Sequence, residues 1–443
     1  MWTCHAPRTL LQSSALCTMG CALPLAMGAK YANQDRTNNL RMKDGKMAGA
    51  LDGIKVLDLS RILAGPTSTQ LLGDLGAEVW KIENPGSDGD DTRKWGPPFV
   101  DDKSGNRTDL SAYFMCANRN KLSVAVDIAS SEGQAVIREL AAEADVIIEN
   151  FKPDGLKKYG LDHATLLKAH PRLVYCSISG YGQTGPNRLK PGYDLMAQGY
   201  GGIMSLTGEP EGRPMKVGVG IADVMCGMYA TVGILAALRH RDKTGEGQHV
   251  DLALVDSQVA WLINEGVAHL TTNQERKRQG NEHATIVPYQ TFEASDGHVL
   301  IAVGNDSQYK RFCEFLERPD LAEIPAYATN PARIVNRTKL LKILEGLLVE
   351  RTMLEIIDGL EARKVPVGPV NTLGQVFTSE QVSAREMKIE MARDDVEGDG
   401  VTLIGNPLKL SKTPVTYRRP PPHFGEDTDA VLDWLKQLAP KST

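Results

Sequence analysis

From residue 51 onward, short runs of apolar and β-branched residues alternate with longer stretches whose apolar residues recur at helical spacing. The run 54–59 is strand-like, a helical stretch with Pro66 in its first turn follows, and 78–82 is strand-like again. Such alternation is typical of βαβ units, in which a parallel sheet carries helices on both faces. The sequence therefore predicts an α/β fold built on a parallel sheet.

The same alternation continues to residue 254. Strand-like runs lie at 123–128, 146–148, 173–178 and 249–254, and helical stretches lie at 131–144 and 223–243. Gly245 follows the second of these stretches, in the position that commonly ends a helix. We therefore expect one large domain over residues 49–270.

The composition changes at 271–280, where the chain becomes polar and charged. Beyond it, strand-like runs at 289–292 and 298–303 flank an Asp296-Gly297 turn, and helical stretches extend from about 307 to 360. This pattern predicts a smaller α+β domain with its linkers at 271–394. The remainder, 395–443, ends in a predicted helix at 427–438 that we expect to complete the large domain.

The first 48 residues differ from the rest, because they contain six Lys or Arg against two Asp and no acidic residue before position 35. A basic, acid-poor, serine-containing leader is typical of an organellar transit peptide. A disordered tail without a targeting function is the alternative. We therefore expect a transit peptide at 1–48 and a mitochondrial location.

Composition excludes several classes of function. The chain is 42% hydrophobic and 24% charged, as expected of a folded domain, and its net charge of −5 comes without a basic run that would bind nucleic acid. The longest nearly apolar stretch, 224–238, is shorter than the roughly 20 residues needed to span a bilayer. We therefore expect neither a nucleic-acid partner nor a membrane partner.

The seven cysteines are odd in number and lack the paired spacings of a metal site or a disulfide framework. A reducing compartment and the absence of a metal centre are therefore predicted. Cys176 and Cys226 lie within apolar runs, which favours buried packing positions over catalytic thiols.

A glycine pattern follows the strand-like run 173–178. Gly180, Gly182 and Gly185 match the spacing of a dinucleotide-binding fingerprint, but that motif requires a helix to begin directly after the glycines. Pro186 and the residues NRLKPG follow instead, so we predict a glycine-rich loop without a nicotinamide or flavin site. Motifs of zinc hydrolysis, of P-loop phosphoryl transfer and of α/β-hydrolases are also absent.

Two carboxylates stand out by position. Asp223 follows the turn-prone residues VGVGIA and opens a long apolar helix, where the helix dipole favours an ionised, nucleophilic carboxylate. A simple helix N-cap is the alternative interpretation. Asp194 lies in PGYDLMAQGYGG, where packing within a loop is the alternative to a site function. His249 lies on a predicted strand and is expected to be structural.

Several longer runs occur in a fixed order, among them LDGIKVLDLSRILAGPTSTQLLGDLGAEVWKIE, ENFKPDGLKKYGLD, ISGYGQTGP, GYDLMAQGYGG and VGVGIADVMCGMYATVGILAALRHRDKTGEGQHVDLALVD. These runs, together with GNEHATIVPYQTF, DGHVLIAVGND and VPVGPVNT, resemble the class III CoA-transferases over residues 51 to about 438. The resemblance implies an interlocked homodimer in which each chain has a Rossmann-like large domain and a small domain.

The resemblance also implies a set of functional residues. The family's nucleophilic aspartate falls on Asp223, and Tyr193 and Asp194 match a Tyr-Glu pair beside the nucleophile of formyl-CoA transferase. The contacts to CoA fall on further positions, in the first βα turn, in the ENF loop and at a basic residue near the CoA phosphates, and these are Ala64, Asn150, Phe151 and Lys158.

One family contact is missing. Asn84 stands where the formyl-CoA enzyme has an arginine near the CoA nucleotide, and Arg93 or Lys81 is expected to replace it.

The activity implied by the resemblance is CoA transfer from succinyl-CoA to a dicarboxylate such as glutarate or hydroxymethylglutarate. It proceeds through an aspartyl-acyl anhydride and an enzyme-CoA thioester at Asp223, with CoA thioesters as substrates and no permanently bound cofactor. One alternative is an α-methylacyl-CoA racemase, but Tyr193 occupies the position of that enzyme's second base and its reference pKa near 10 makes it a poor base. A CoA-binding protein without catalysis is the other alternative.

A dicarboxylate acceptor needs a cation for its distal carboxylate, and arginine binds carboxylates bidentately. The candidates are Arg61, Arg93, Arg119 and Arg333, which the sequence alone does not rank.

Overall fold

A computed structural model describes residues 49–438 of the chain, so the predicted transit peptide at 1–48 lies outside the described residues. In chain order, the strands are β1 (Lys55–Asp58), β2 (Glu78–Glu83), β3 (Phe99–Asp101), β4 (Arg107–Ser111), β5 (Lys121–Ala125), β6 (Val146–Glu149), β7 (Val174–Ser179), β8 (His249–Ala253), β9 (Tyr289–Ala294), β10 (Gly297–Ala302), β11 (Val367–Pro369), β12 (Lys388–Ala392) and β13 (Gly400–Ile404).

The α-helices, again in chain order, are α1 (Ala64–Asp74), α2 (Ala112–Met115), α3 (Ser131–Glu143), α4 (His163–Ala169), α5 (Asp194–Tyr200), α6 (Ile221–Thr244), α7 (Leu254–Ala260), α8 (Ile263–Thr272), α9 (Asp306–Phe315), α10 (Asn330–Val335), α11 (Arg337–Leu348), α12 (Met353–Glu361), α13 (Leu373–Thr378), α14 (Glu380–Ala384) and α15 (Thr428–Leu438).

Six strands form one parallel sheet in the order β5-β2-β1-β6-β7-β8. Because successive side chains of a strand point to opposite faces, neighbouring residues of β1 enter different cores. Val56 packs in a core beneath α1 and α6, whereas Leu57 packs on the other face with residues of α3 and α15. The predicted α/β fold with a parallel sheet covered on both faces is thus confirmed.

Helix α6 is the longest of the described helices and ends at Gly245, which has a φ of +82°. By length and composition alone, this helix is long and apolar enough to cross a membrane. In the fold, however, 56% of its most apolar 18-residue segment is buried. Ala230 and Ile234, both fully buried, pack against the sheet. The apolar side chains of this helix therefore form part of the core of the large domain.

The second folded unit contains a three-stranded antiparallel sheet in the order β11-β10-β9. The predicted Asp296-Gly297 turn joins β9 to β10, and both strands pack on α9, α11 and α12. Its core is separate from the two cores of the large sheet and includes Phe292, Phe312 and Leu344.

Two short hairpins, β3–β4 and β12–β13, escape prediction from the sequence. They pack on each other in a fourth apolar cluster that contains Phe114 and Val401. Because β12 pairs with β13, the hairpin crosses residue 394, where the sequence places a domain boundary. Helix α15 packs on the large sheet, and the ring centroids of Trp434 and Trp80 lie 5.2 Å apart.

Candidate functional site

A cavity of about 1170 Å³ opens at the carboxyl ends of β1, β6 and β7. In parallel α/β sheets this edge is where ligands bind. Six of the seven site residues predicted from the sequence line it: Ala64, Asn150, Phe151, Lys158, Tyr193 and Asp223. The seventh, Asp194, does not line the cavity but follows Tyr193 and contacts the start of α6.

The turn between β1 and α1 forms one wall of the cavity. Asn150 holds it from both sides, because its Oδ1 accepts from the backbone nitrogen of Arg61 at 2.9 Å and its Nδ2 donates to the Arg61 carbonyl at 2.7 Å. Ile62 has a φ of +70°, which is strained for a β-branched residue, and its N–H faces the Asp90 carboxylate at 3.2 Å. Strain that the surroundings hold in place is typical of functional turns.

The starts of α1 and α6 lie against each other at this wall. Ala64 is the first residue of α1, and no side chain caps that helix. A Cβ atom at Gly227 of α6 would lie 2.5 Å from the Ala64 carbonyl oxygen, so only glycine allows this approach. The uncapped end of α1 therefore presents free N–H groups, and positive dipole charge, beside Asp223.

Helix α6 begins at Ile221 with Gly220 as its N-cap, and Asp223 is its third residue. The interpretation of Asp223 as an N-cap is therefore wrong. Asp194 provides the cap instead, because its Oδ1 accepts from the backbone nitrogen of Ala222 at 2.8 Å. Among residues 49–438, no group donates a hydrogen bond to the Asp223 carboxylate, which leaves it available to a ligand.

Asp223 is only 8% exposed, and its burial together with the nearby Asp194 carboxylate raises its pKa to about 7. The sequence alone predicts that the helix dipole keeps this carboxylate ionised. Burial and the negative charge of Asp194 both disfavour the ionised form of Asp223, and together they outweigh the stabilisation of that form by the helix dipole. The group is thus poised between its two forms near neutral pH, as expected of a catalytic carboxylate.

Asp194 is the first residue of α5 and is fixed by a relay of hydrogen bonds. Gln198, which is fully buried, donates from Nε2 to its Oδ2 at 2.7 Å and accepts from the backbone nitrogen of Val217 at 2.8 Å. Asp194 therefore belongs to a helix and to this relay, which corrects its alternative interpretation as loop packing. Tyr193 precedes it, is 64% exposed and lines the cavity.

Cationic side chains surround the cavity mouth. Lys152, Lys158 and Lys190 line it, are exposed and have no ion-pair partner in the described part of the chain. Arg61 also lines it and pairs at the surface with Asp91 at 3.0 Å. A ring of this kind attracts an anionic ligand such as a phosphate or a carboxylate.

The other three arginine candidates are structural. The Nη2 atom of Arg93 lies 2.6 Å from Oε1 of Glu83. The Nη2 atom of Arg119 lies 2.6 Å from Oδ2 of Asp74. Arg333 is fully buried in the small domain, where it pairs with Asp306. Of the four predicted candidates, only Arg61 reaches the cavity. Arg93 is likewise not free to replace the arginine missing at Asn84.

Lys81, the other predicted replacement, is fully buried and pairs with Asp90 at 2.9 Å. Although it lines the cavity wall, its ammonium group is already neutralised.

Two residues near the site are not among those predicted from the sequence. Tyr113 lies on the four-residue helix α2, and burial together with Asp223 and Asp194 raises its pKa to about 12, so that it remains a hydrogen-bond donor. Glu149 ends β6, is the first residue of the ENF run and is buried. Tyr113 belongs to no recognised motif. The ENF run does not show that the side chain of Glu149 is buried, because burial depends on contacts between distant segments.

As predicted, no helix begins directly after the glycine-rich loop that follows β7, and the next helix begins only at Asp194. Cys176 and Cys226 are buried, which confirms their predicted packing positions. Within residues 49–438, no group of three or more His, Cys, Asp or Glu side chains is arranged to hold a metal ion.

Two models of protein families match parts of the chain. The family model "CoA-transferase family III" matches residues 51–428. A second model, the C-terminal TPP binding domain of thiamine pyrophosphate enzymes, matches only residues 1–52, and we infer no function from it.

Among individual proteins, succinate–glutarate CoA-transferase of Agrobacterium fabrum is 42% identical over 89% of this chain and 97% of its own length. Succinyl-CoA:glutarate CoA-transferase of Homo sapiens is 41% identical over 86% of this chain and 85% of its own. The crystal structure of a CaiB/BaiF family protein from Brucella suis superposes with a TM-score of 0.79 at 44% identity and covers 88% of this chain and all of its own. The chain therefore belongs to CoA-transferase family III and is an enzyme of that family.

Proposed function

We propose that this enzyme transfers CoA from succinyl-CoA to glutarate or a dicarboxylate of similar size, with Asp223 as the covalent nucleophile. One observation carries the proposal: Asp223 is a buried carboxylate without an intramolecular hydrogen-bond donor among the described residues, at the wall of a cavity ringed by cations. The names of the relatives at 41–42% identity support succinyl-CoA as donor and glutarate as acceptor.

The covalent steps follow from a carboxylate nucleophile. A carboxylate oxygen of Asp223 attacks the thioester carbonyl of succinyl-CoA, and the C–S bond breaks to give an aspartyl-succinyl anhydride and CoA thiolate. The thiolate then attacks the aspartyl carbonyl, releasing succinate and leaving an enzyme-CoA thioester. The acceptor carboxylate attacks this thioester, and the C–S bond breaks to give an anhydride between Asp223 and the acceptor. The released thiolate then attacks the acceptor carbonyl of this anhydride, which forms the new CoA thioester and regenerates the Asp223 carboxylate. Each step exchanges one activated acyl group for another, which is the purpose of covalent catalysis.

The residues around Asp223 suit these steps. The uncapped start of α1 at Ala64 offers N–H groups to the oxyanion that develops on the attacked carbonyl. Lys158 and its exposed neighbours balance the phosphate charges of CoA, while Phe151 contributes apolar surface. At about 1170 Å³ the cavity exceeds the size typical for drug-sized ligands, which suits a CoA thioester.

Racemisation is a weaker explanation of the same site. It needs a second base on the other side of the substrate α-carbon, and none of the described residues that line the cavity is a histidine. The residue at the position of the second base is Tyr193, a phenol rather than an imidazole.

We further propose that the enzyme is a homodimer in the mitochondrial matrix. The described chain leaves an apolar surface uncovered on α8, where Ile263, Val267 and Leu270 are 54%, 61% and 83% exposed. Exposed apolar patches of this kind mark association surfaces. The basic, acid-poor leader at 1–48 supports import into mitochondria.

The function is tested with a panel of acceptors incubated with succinyl-CoA, with the CoA ester products resolved by mass. We expect glutaryl-CoA and free succinate in equal amounts. Hydroxymethylglutarate, adipate, malate, oxalate and carnitine complete the panel. Transfer only to oxalate or carnitine would refute the proposed acceptor class while leaving CoA transfer itself intact.

A further inference from the structure

A buried carboxylate that the proposed chemistry does not use lies at the end of β6. Glu149 is 6% exposed and has no ion-pair partner among residues 49–438. Burying a carboxyl group without a cation is costly, because it loses hydration without a charge to replace it. Burial, together with the charge of Asp251, raises the pKa of Glu149 to about 7. Hydrogen bonds from Ser177 and Phe151 act in the opposite direction but do not outweigh the burial.

Glu149 holds the loop that follows it. Its Oε2 accepts from the backbone nitrogen of Phe151 at 2.8 Å. The residue between them, Asn150, makes the two hydrogen bonds that fix the backbone of Arg61 in the strained first βα turn. The carboxyl group thus fixes Phe151 directly, and through the same loop it sets the position from which Asn150 reaches Arg61.

Glu149 is itself positioned from the neighbouring strands. It is the register partner of Ser177 on β7, which is in turn the partner of Asp251 on β8. Ser177 donates its hydroxyl proton to Glu149, and its oxygen lies 3.0 Å from Nε2 of His249. Burial and His163 lower the pKa of His249 to about 4, so it is neutral and its Nε2–H can donate to Ser177.

The chain of hydrogen bonds is held at its far end by ring stacking. His163 stacks on His249 with ring centroids 3.9 Å apart and an interplanar angle of 1°. Asp251 serves the neighbouring loop in the same way, because its carboxylate accepts from the backbone nitrogen of Gln183. Polar groups on three adjacent strands therefore hold both loops that follow β6 and β7.

A second cavity of about 200 Å³ lies behind the loop and has Glu149 in its wall. The residues 152–155 line both this cavity and the larger one, so the loop separates two open spaces. The other charged or titratable groups that line the smaller cavity are Lys152, Asp154, Lys157, Asp162, His163 and Tyr175. Since the loop has space on both sides, packing alone does not fix its position.

We propose that Glu149 is a positioning residue for CoA binding, which holds the loop 150–155 against the cavity through the Phe151 N–H. The proposal rests on the proposed function, because it takes the larger cavity to be the CoA site. Loss of this anchor weakens binding of the CoA thioester and leaves the reaction at Asp223 largely intact, since Glu149 does not line the larger cavity.

The test compares Glu149→Ala with Glu149→Gln in the full-length enzyme, using steady-state kinetics with succinyl-CoA and glutarate. For Glu149→Ala we expect the KM for succinyl-CoA to rise about tenfold, the worth of one hydrogen bond to a charged group, with kcat within about threefold of wild type. Glu149→Gln should restore the wild-type KM, because its amide oxygen still accepts from Phe151. Glu143→Ala, a glutamate that pairs only with Lys55 at the surface, is the matched control.

Calorimetric titration with free CoA separates this inference from the function on which it rests. Wild-type enzyme that does not bind CoA would refute the proposed function. Wild-type binding combined with an unchanged KM in Glu149→Ala, or with a Gln variant as impaired as the Ala variant, would refute only the positioning by Glu149. If Glu149→Ala does not fold, Glu149→Leu provides the same contrast, because its side chain fills similar space and offers no oxygen to the Phe151 N–H.

Discussion

The Oδ1 atom of Asp194 lies 2.8 Å from the backbone nitrogen of Ala222 and caps the helix that carries Asp223. The same carboxylate helps raise the pKa of Asp223 to about 7. One side chain therefore stabilises the start of α6 and, at the same time, makes ionisation of Asp223 more difficult. The two effects can be separated, because capping needs an oxygen and repulsion needs a charge.

The first prediction concerns pH. Only the ionised form of Asp223 is nucleophilic, so kcat/KM for succinyl-CoA should fall about tenfold per pH unit below pH 7 and level off above it. Asp194→Asn keeps a capping oxygen and removes the charge, and it should move the midpoint to lower pH. Glu149 titrates in the same range, so the profile is repeated in Glu149→Gln. A midpoint that does not move in Asp194→Asn would show that Asp194 does not set it.

The sequence predicted the large domain well, because each strand and helix there has a clear local pattern. The predicted run 131–144 became α3 (Ser131–Glu143), and 249–254 became β8 (His249–Ala253). The hairpins β3–β4 and β12–β13 were missed, since they are stabilised mainly by packing on each other across nearly 300 residues of sequence.

The candidate site was predicted less completely. The resemblance gave the six lining residues, but it could not give the cap at Ala222, because the distance from Asp194 to that residue depends on how α5 meets α6. The prediction that the helix dipole keeps Asp223 ionised is also wrong, because the pKa of this carboxyl group is raised to about 7. The dipole of α6 can be seen in the sequence, whereas the burial and the neighbouring charge that outweigh it arise only in the fold.

The second prediction separates the arginine candidates. Arg61→Gln should leave the fold intact and raise the KM for glutarate or succinyl-CoA, because this is the candidate that lines the cavity. Arg119→Ala should instead destabilise the protein by about 3–5 kcal/mol, since it leaves the buried Asp74 carboxylate without its cation. Denaturant unfolding and initial rates, measured on both variants, check this contrast. Normal stability in Arg119→Ala would contradict its structural assignment.

The third prediction concerns quaternary structure. If two chains interlock, dimerisation and folding are inseparable, and sedimentation over a wide range of dilution should show only dimer until the protein unfolds. Leu270→Glu places a charge on the exposed apolar face of α8 and should reduce the yield of dimer. Leu354→Glu, at an exposed leucine of α12, is the control and should not. A native-like monomer of the wild type would contradict the interlocked arrangement.

The fourth prediction concerns the leader. If residues 1–48 act as a transit peptide, protein isolated from mitochondria should begin between about Met27 and Met47. N-terminal sequencing measures this directly. An intact Met1 on the mitochondrial protein, or exclusion of the protein from mitochondria, would refute the targeting interpretation.

The fifth prediction concerns Asp223→Asn. An amide cannot form the anhydride, so transfer should fall by several orders of magnitude while free CoA still binds. The variant should also be more stable above pH 7. The folded-state pKa of about 7 lies above the ordinary value of 3.8, so the wild type loses stability as pH rises through that range. Replacing the carboxyl by a neutral amide removes that loss, worth on the order of a few kcal/mol.

Denaturant unfolding at pH 5 and pH 8 measures the stability difference between Asp223→Asn and wild type, which should be larger at pH 8. Incubation of the wild type with succinyl-CoA, followed by hydroxylamine or borohydride, should place the modification on the peptide that contains Asp223. Asp194→Asn is the matched control for loss of a carboxylate at this site, and it should still be labelled at Asp223. Label on Asp194 or on a cysteine, or wild-type transfer by Asp223→Asn, would show that another group is the nucleophile.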